Sequence, residues 1–235
     1  MAETKQRALT VISAGLTQPS SSRLLADRLT AATVDALTGR GVDADVEVVE
    51  LRDHAHALVD NLLTGFPGGA LRSVVDRVAA SDGLIAVTPI FNASYSGLYK
   101  SFFDVLEQGT LDGMPTLIGA TGGTARHSLA LEHAIRPMFA YLRAGVVPTA
   151  VYAASEDWAG SGDQALAGRI ARAGDELATA MASRERTARQ IPSPTRCRSK
   201  SCWRGSALTD SPVRCPQQGR QGRGESCGNR AGDRG

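Results

Sequence analysis

Three short stretches hold most of the side chains that could grip a ligand: SAGLTQPSSSR at 13–23, TPIFNASYSGLYK at 88–100 and TGGTARHS at 121–128. The first follows an apolar run and carries Ser20, Ser21, Ser22 and Arg23 where a helix should start. Backbone N–H groups and hydroxyls in such a first turn can surround a dianionic phosphate, and the helix dipole favours the charge. The stretch lacks both G-x-G-x-x-G and G-x-x-x-x-G-K-[ST], which excludes a dinucleotide fingerprint and a P-loop. The plainer alternative is a serine N-cap with spare polar neighbours. In the second stretch Pro89 ends a strand, Ile90 and Phe91 can lie against a flat ring, and Asn92 and Ser94 offer donors. Core packing for Phe91 and an ordinary turn for Asn92 compete with that. In the third, Gly122 and Gly123 after Thr121 let backbone approach a ligand closely. A tight turn before a helix would use the same residues.

No nucleophile stands out. Lys100 lies at the fourth position after Ser96 rather than the third, and there is no G-x-S-x-G elbow. His54, His56, His127 and His133 show no metal-binding spacing, and His54 and His56 read as loop residues. Arg126 either starts a helix or faces a second anionic ligand.

Apolar, β-branched runs predict strands at 8–14, 43–51, 83–89, 114–121 and 146–154. Helical spacing fills the gaps. Leu25, Leu29, Ala32 and Ala36 share a face that stops near Gly39 and Gly41. Leu71, Val74, Val75 and Val78 point inward over 68–80, and Leu98, Phe102, Val105 and Leu106 do so over 96–107. The stretch 126–143 is helical, with Pro137 kinking or splitting it. Leu166, Ile170, Ala173, Leu177 and Met181 line 163–182. The segment RDHAHALVDNLLTGFPGG (52–69) reads as a long loop. Five alternations of strand and helix call for a parallel sheet with helices on both faces, one α/β domain over 1–183. Ligands of such sheets bind beyond the strands' carboxyl ends, where strand order reverses. The loops after the first, third and fourth strands are the three stretches above.

Charge divides the chain. Residues 1–183 carry 14 Lys/Arg against 20 Asp/Glu, a net of −6, whereas 184–235 carry 12 against 4, a net of +8. The basic part holds all four cysteines, Cys197, Cys202, Cys215 and Cys227, at spacings that match no tight zinc knuckle. Rich in Arg, Gly, Ser, Pro and Gln, it is expected to stay disordered as a tail. Its arginines have no aromatic platform beyond Trp203, so nucleic acid is not an expected partner. No apolar run approaches the roughly 18 residues of a membrane span, and no signal peptide is evident. The expectation is a cytoplasmic, enzyme-sized domain with a basic appendage.

Together, VISAGLTQPSSSRLLADRL, TPIFNASYSGLYKSFFDVLE and GATGGTARHSLALEHAIRPMFAYLRA make the chain from 8 to about 182 similar to the NADPH-dependent FMN reductase family of flavodoxin-like proteins. The branch it most resembles is associated with luciferase-like flavin monooxygenases. The resemblance implies a five-stranded parallel sheet in the order 2-1-3-4-5. It implies a phosphate loop at Ser13, Thr17, Ser20, Ser21, Ser22 and Arg23, and an isoalloxazine lining at Pro89, Ile90, Phe91, Asn92 and Ser94. Thr121, Gly122 and Gly123 would meet the ring's polar edge. Many relatives have tyrosine where Phe91 stands, so a hydroxyl is missing here. The implied reaction is hydride transfer from NAD(P)H to N5 of FMN, with reduced flavin passed to a partner monooxygenase and no catalytic side chain or metal required. Homodimers or larger homo-oligomers through 96–107 and 126–143 are implied as well. Competing readings are a quinone or azo reductase with tightly bound FMN, and a flavodoxin-like electron carrier.

Overall fold

A computed structural model of the chain describes residues 5–158 and 161–184. The expected tail at 184–235, with its cysteines and Trp203, lies outside the described residues apart from Arg184.

Strands β1 (Lys5–Ser13), β2 (Val42–Glu50), β3 (Gly83–Phe91) and β5 (Pro115–Gly122) form the body of a parallel sheet. The path is β2-β1-β3-β5, with β6 (Gly145–Val146) and β7 (Val151–Ala154) both pairing with β5. Taken as one position, β6 and β7 make the expected 2-1-3-4-5 order. The strand foreseen over 146–154 is broken for a local reason. Pro148 has no N–H for the ladder, the Thr149 N–H goes instead to Glu176 Oε2 at 2.7 Å, and Arg136 takes the carbonyls of Val147 and Pro148 at 3.1 and 3.0 Å. A further short strand, β4 (Ser94–Tyr95), folds back antiparallel on β3.

Among the described residues, six α-helices cover the sheet: α1 (Ser21–Thr38), α2 (Ala55–Thr64), α3 (Gly69–Ala80), α4 (Gly97–Asp104), α5 (Arg136–Tyr141) and α6 (Ser161–Ser183). Strand alternation decides which helix each face receives. Leu9 and Val11 of β1 pack with Leu25 and Leu29 of α1 and Ile170 and Leu177 of α6. Ile12 packs on the other face with Leu58, Leu71, Phe102 and Phe139, from α2 to α5.

Two expectations change. Residues 52–69 are not a loop: a turn at Leu51–His54 leads into α2, which buries Leu58 and Asn61 and stops at Gly65 in the left-handed region (φ 79°). His54 therefore ends the turn and His56 rides on α2, rather than both sitting in a loop. The helix foreseen over 126–143 is split into a short turn at Ala125–His127, a wide π-turn at Leu131–Ile135 and α5. Pro137 lacks the N–H that a continuous helix would need, and the ladder loosens just before it.

Candidate functional site

The carboxyl ends of β1, β3, β5 and β7 surround a cleft of about 280 Å³, at the low end of small-molecule sites. Ten of the fourteen expected site residues line it: Thr17, Ser20, Ser21, Ser22, Pro89, Ile90, Phe91, Thr121, Gly122 and Gly123. Ser13, Arg23, Asn92 and Ser94 do not.

The first wall is the start of α1. Ser20 is the N-cap, extended at φ −120°, and its Oγ accepts from the Arg23 N–H at 3.2 Å. The N–H groups of Ser21 and Ser22 stand in the first turn, where a helix offers no internal acceptor. The Ser22 hydroxyl, buried, shares a hydrogen bond of 2.8 Å with Thr121 Oγ1, which ties this wall to β5. Ser13 sits on the face of β1 that α1 covers. Its Oγ is buried and has no hydrogen-bond partner, a costly state for a hydroxyl.

Arg23 turns away from the cleft. It donates to Asp27 at 2.8 Å and Glu50 at 2.7 Å, and chiefly the Asp27 hydrogen bond raises its already high pKa, the charges of Asp27 and Glu50 adding to it. The phosphate role expected of it meets competition from both carboxylates.

The second wall is the β3–β4 hairpin. Phe91 is 47 % exposed at its edge. Asn92 and Ala93 form the tip with φ of 48° and 64°, and Ser94 pairs back with Phe91. Asn92 is thus the turn residue of its plainer reading, since asparagine tolerates left-handed backbone. Thr88 Oγ1 accepts from the Ser96 N–H at 3.1 Å, and Ser96 caps α4 by accepting from Tyr99 at 3.2 Å.

The third wall is Thr121–Gly123. A Cβ on Gly122 would collide with the Tyr152 hydroxyl, whereas one on Gly123 would meet nothing within 4 Å. Tyr152 donates to the Thr124 carbonyl at 2.9 Å. Burial, then the nearby charges of Asp157 and Glu156, raise its pKa, so it stays a neutral donor through the physiological range.

Sequence reasoning missed Ala153, Ser155 and Trp158, which close the cleft after β7. The signal was available: the carboxyl-end rule applies to the fifth strand as it does to the others. Asp157 shapes this turn by accepting from the Ala154 N–H at 2.8 Å and from Arg169 at 3.2 Å, and Arg28 lies over the Trp158 ring at 5.3 Å. Among the described residues no group of His, Cys, Asp and Glu could hold a metal, and no helix is long and apolar enough to cross a membrane.

Residues 8–159, which include every wall of this cleft, match the family model for NADPH-dependent FMN reductases. The chain belongs to that family. Within it, the chain is 35 % identical over 147 residues to an FMN reductase (NADPH) of Pseudomonas aeruginosa, covering 63 % of this chain and 76 % of the relative. It is 33 % identical over 146 residues to the NADH-dependent FMN reductase SfnF of Pseudomonas putida, covering 62 % and 76 %. Among solved structures, an oxidoreductase from Corynebacterium diphtheriae superposes with a TM-score of 0.75 at 44 % identity, covering 78 % of this chain and 100 % of the other. The flavodoxin-like fold is therefore shared with a flavin-reducing family. The matched residues end at Asp157–Ala159, so the missed Trp158 falls inside the family's own span.

Proposed function

We infer that this chain is an NAD(P)H-dependent FMN reductase, which moves a hydride from the nicotinamide nucleotide to flavin and releases reduced flavin. The observation that carries this reading is the meeting of a helix start, an apolar strand end and a glycine turn on one cleft, in a chain of the FMN reductase family. Residues 1–183 are the catalytic unit in this reading.

The residues present fit a flavin mononucleotide. The first-turn N–H groups of α1 await an anion, the buried Ser13 hydroxyl lacks a partner, and the space beside Gly123 is open. Thr17, Ser20, Ser21 and Ser22 would hold the phosphate, with Ser13 beneath them. Pro89, Ile90 and Phe91 would lie along the ring. Backbone N–H groups of Thr121–Gly123 would meet its polar edge and oppose the negative charge that grows there on reduction. When bound, FMN supplies the hydride acceptor. Partly exposed Phe91 leaves the outer side of the cleft accessible to a second ring. Arg23, Asn92 and Ser94 act indirectly, by capping the first wall and shaping the hairpin. No side chain gives or takes a proton in the hydride step, so none is assigned as catalytic.

An open cleft suits a flavin that leaves after reduction. A luciferase-like monooxygenase is the partner that fits such a product, in the cytoplasm where reduced nicotinamide nucleotides are held. A homo-oligomer belongs to the same reading, supported by Leu129 and Tyr141, 63 % and 86 % exposed on the 126–143 segment, and sedimentation measures it. Steady-state oxidation of NADPH and NADH by the full chain, with FMN, FAD or riboflavin, tests the activity. No flavin-dependent turnover with either nucleotide would overturn it. Ser21→Asp puts a carboxylate in the phosphate seat and should raise the KM for FMN about tenfold while sparing riboflavin. Equal effects on both flavins would move the phosphate elsewhere.

A further inference from the structure

We propose that Arg126 binds a phosphate of the nicotinamide nucleotide, forming a subsite distinct from the helix start that takes the flavin phosphate. The proposal rests on the reductase reading above. Both substrates of that reaction are anions, yet residues 1–183 carry a net charge of −6. Attraction must then come from local cations.

The cations near the cleft are nearly all engaged. Arg23 is held by Asp27 and Glu50, and Arg52 by Glu50 at 2.6 Å and by the Thr17 carbonyl at 3.1 Å. Arg28 pairs with Asp163 at 2.6 Å beneath its contact with Trp158, and Arg169 pairs with Asp157. Lys100 is bound to Asp104, and Arg136 to Glu132 at 2.6 Å. Arg126 has neither an ion pair nor a hydrogen bond among the described residues, and it is exposed. Arg72 and Arg172 share that freedom, but they stand on α3 and α6, which contribute nothing to the cleft lining.

Its position is built. Arg126 comes three residues after Gly123, a lining residue, which puts its Cα within about 11 Å of that glycine. The turn that carries it is pinned at its start by the Tyr152 hydroxyl on the Thr124 carbonyl, and closed by the Ser128 N–H on the Ala125 carbonyl at 3.1 Å. A guanidinium on a held turn presents a fork that matches a phosphate, and an arginine without a carboxylate partner keeps its full charge for a ligand. The chain runs from Thr121, bonded to Ser22, through the glycines to Arg126, so the two anion seats lie at opposite ends of the third wall.

The nucleotide offers two such groups, the pyrophosphate and, in NADPH alone, the ribose 2′-phosphate. The test measures KM for NADPH and NADH at saturating FMN in the full chain, beside Arg126→Ala and Arg126→Lys. Arg126→Ala should raise the nucleotide KM about tenfold or more, the effect of one lost charge-assisted bond, while KM for FMN stays within about twofold. A rise for NADPH alone assigns the 2′-phosphate; a rise for both assigns the pyrophosphate. Lysine should recover part of the loss. Unchanged KM for both nucleotides, or a rise confined to FMN, overturns the proposal while leaving wild-type reductase activity intact. Absent wild-type turnover overturns the reductase reading instead, and titration of wild type and Arg126→Ala with NADP+ and NAD+ then decides the subsite by affinity.

Discussion

The two ends of the sheet treat polar groups in opposite ways. At the amino end, Arg7 is 1 % exposed and pairs with Asp82 at 3.1 Å; Asp82 also accepts from the Ala8 N–H at 2.9 Å. Arg7 donates to the Arg184 carbonyl, Arg184 returns a bond to the Asp82 carbonyl at 3.0 Å, and Lys5 reaches the Ala182 carbonyl at 2.9 Å. The end of α6 is thereby fastened to β1 and β3. At the carboxyl end, the Ser13 hydroxyl has no partner, the Ser21 and Ser22 N–H groups stand in the first turn of α1 without an intrahelical acceptor, and Ala93 holds a left-handed backbone. An orphan atom alone does not mark a site, because Arg7 Nε is also buried without a partner. What distinguishes the carboxyl end is that its unpaired hydroxyl and strained turn stand next to, though not in, the lining of an open cleft. One end holds the fold and the other is shaped to receive something.

The strongest way to break this division is Arg7→Ala. Removing one partner of a buried pair should lower stability by about 3–5 kcal/mol, read by urea denaturation, with flavin affinity unchanged in the folded fraction. A loss below about 1 kcal/mol would make the amino end no more structural than the other. Gly122→Ala attacks the opposite end. Its Cβ collides with the Tyr152 hydroxyl, so the third wall must shift, and kcat/KM should fall by roughly a hundredfold with a stability loss of about 1–3 kcal/mol. Adding Tyr152→Phe removes the colliding oxygen, leaving the ring carbon 3.1 Å from the new methyl. The double variant should therefore regain much of the lost activity; if it does not, the tyrosine is not what holds the glycines.

Ser13→Ala sharpens the contrast further because its two effects should have opposite signs. Removing an unsatisfied hydroxyl leaves stability unchanged or raises it by about 1 kcal/mol, whereas losing the proposed bond to the flavin phosphate would weaken FMN by a similar amount, roughly fivefold. Chemical denaturation and fluorescence titration with FMN measure the two separately. A stability loss with no change in affinity would return Ser13 to the structural side.

Particular residues show why some of this was legible in the sequence and some was not. The runs at 8–14, 83–89 and 114–121 are apolar on both faces, as buried parallel strands must be, and glycine follows the first and ends the last; Pro89, expected to end its strand, does not, because β3 runs on to Phe91 by pairing with β4. Helix α2 was hidden because Leu58 sits between two histidines and a Gly-Phe-Pro-Gly-Gly run, and its apolar face is half outside: Val59, Leu62 and Leu63 are exposed. Arg23 read as a phosphate ligand although Asp27, one helical turn on, was a visible partner; Glu50, at the end of β2, was not. Trp158 joins the cleft through the pairing of β7 with β5 and the contact with Arg28, both between residues more than thirty apart in the chain. Periodicity sees neighbours along the chain, such as Asp27 beside Arg23; the Glu50 share of that guanidinium and the closure of the cleft are settled across it.

The smallest expected effect concerns the hairpin tip. A type I′ turn wants left-handed backbone at both central positions, which Asn-Gly supplies readily, but here the second position is alanine. Left-handed alanine costs about 1–2 kcal/mol, and glycine gives back roughly 0.5–1 kcal/mol through its freer unfolded chain. Ala93→Gly should therefore stabilise the protein by about 0.5–1 kcal/mol, measurable as a rise in the urea midpoint. The functional side of the comparison predicts an accompanying loss: a looser tip holds Phe91 and Pro89 less firmly against the ring, so KM for FMN and for riboflavin should rise together by about twofold. A gain in stability with both KM values unchanged would mean that the strain at Ala93 serves the turn alone and not the wall it carries.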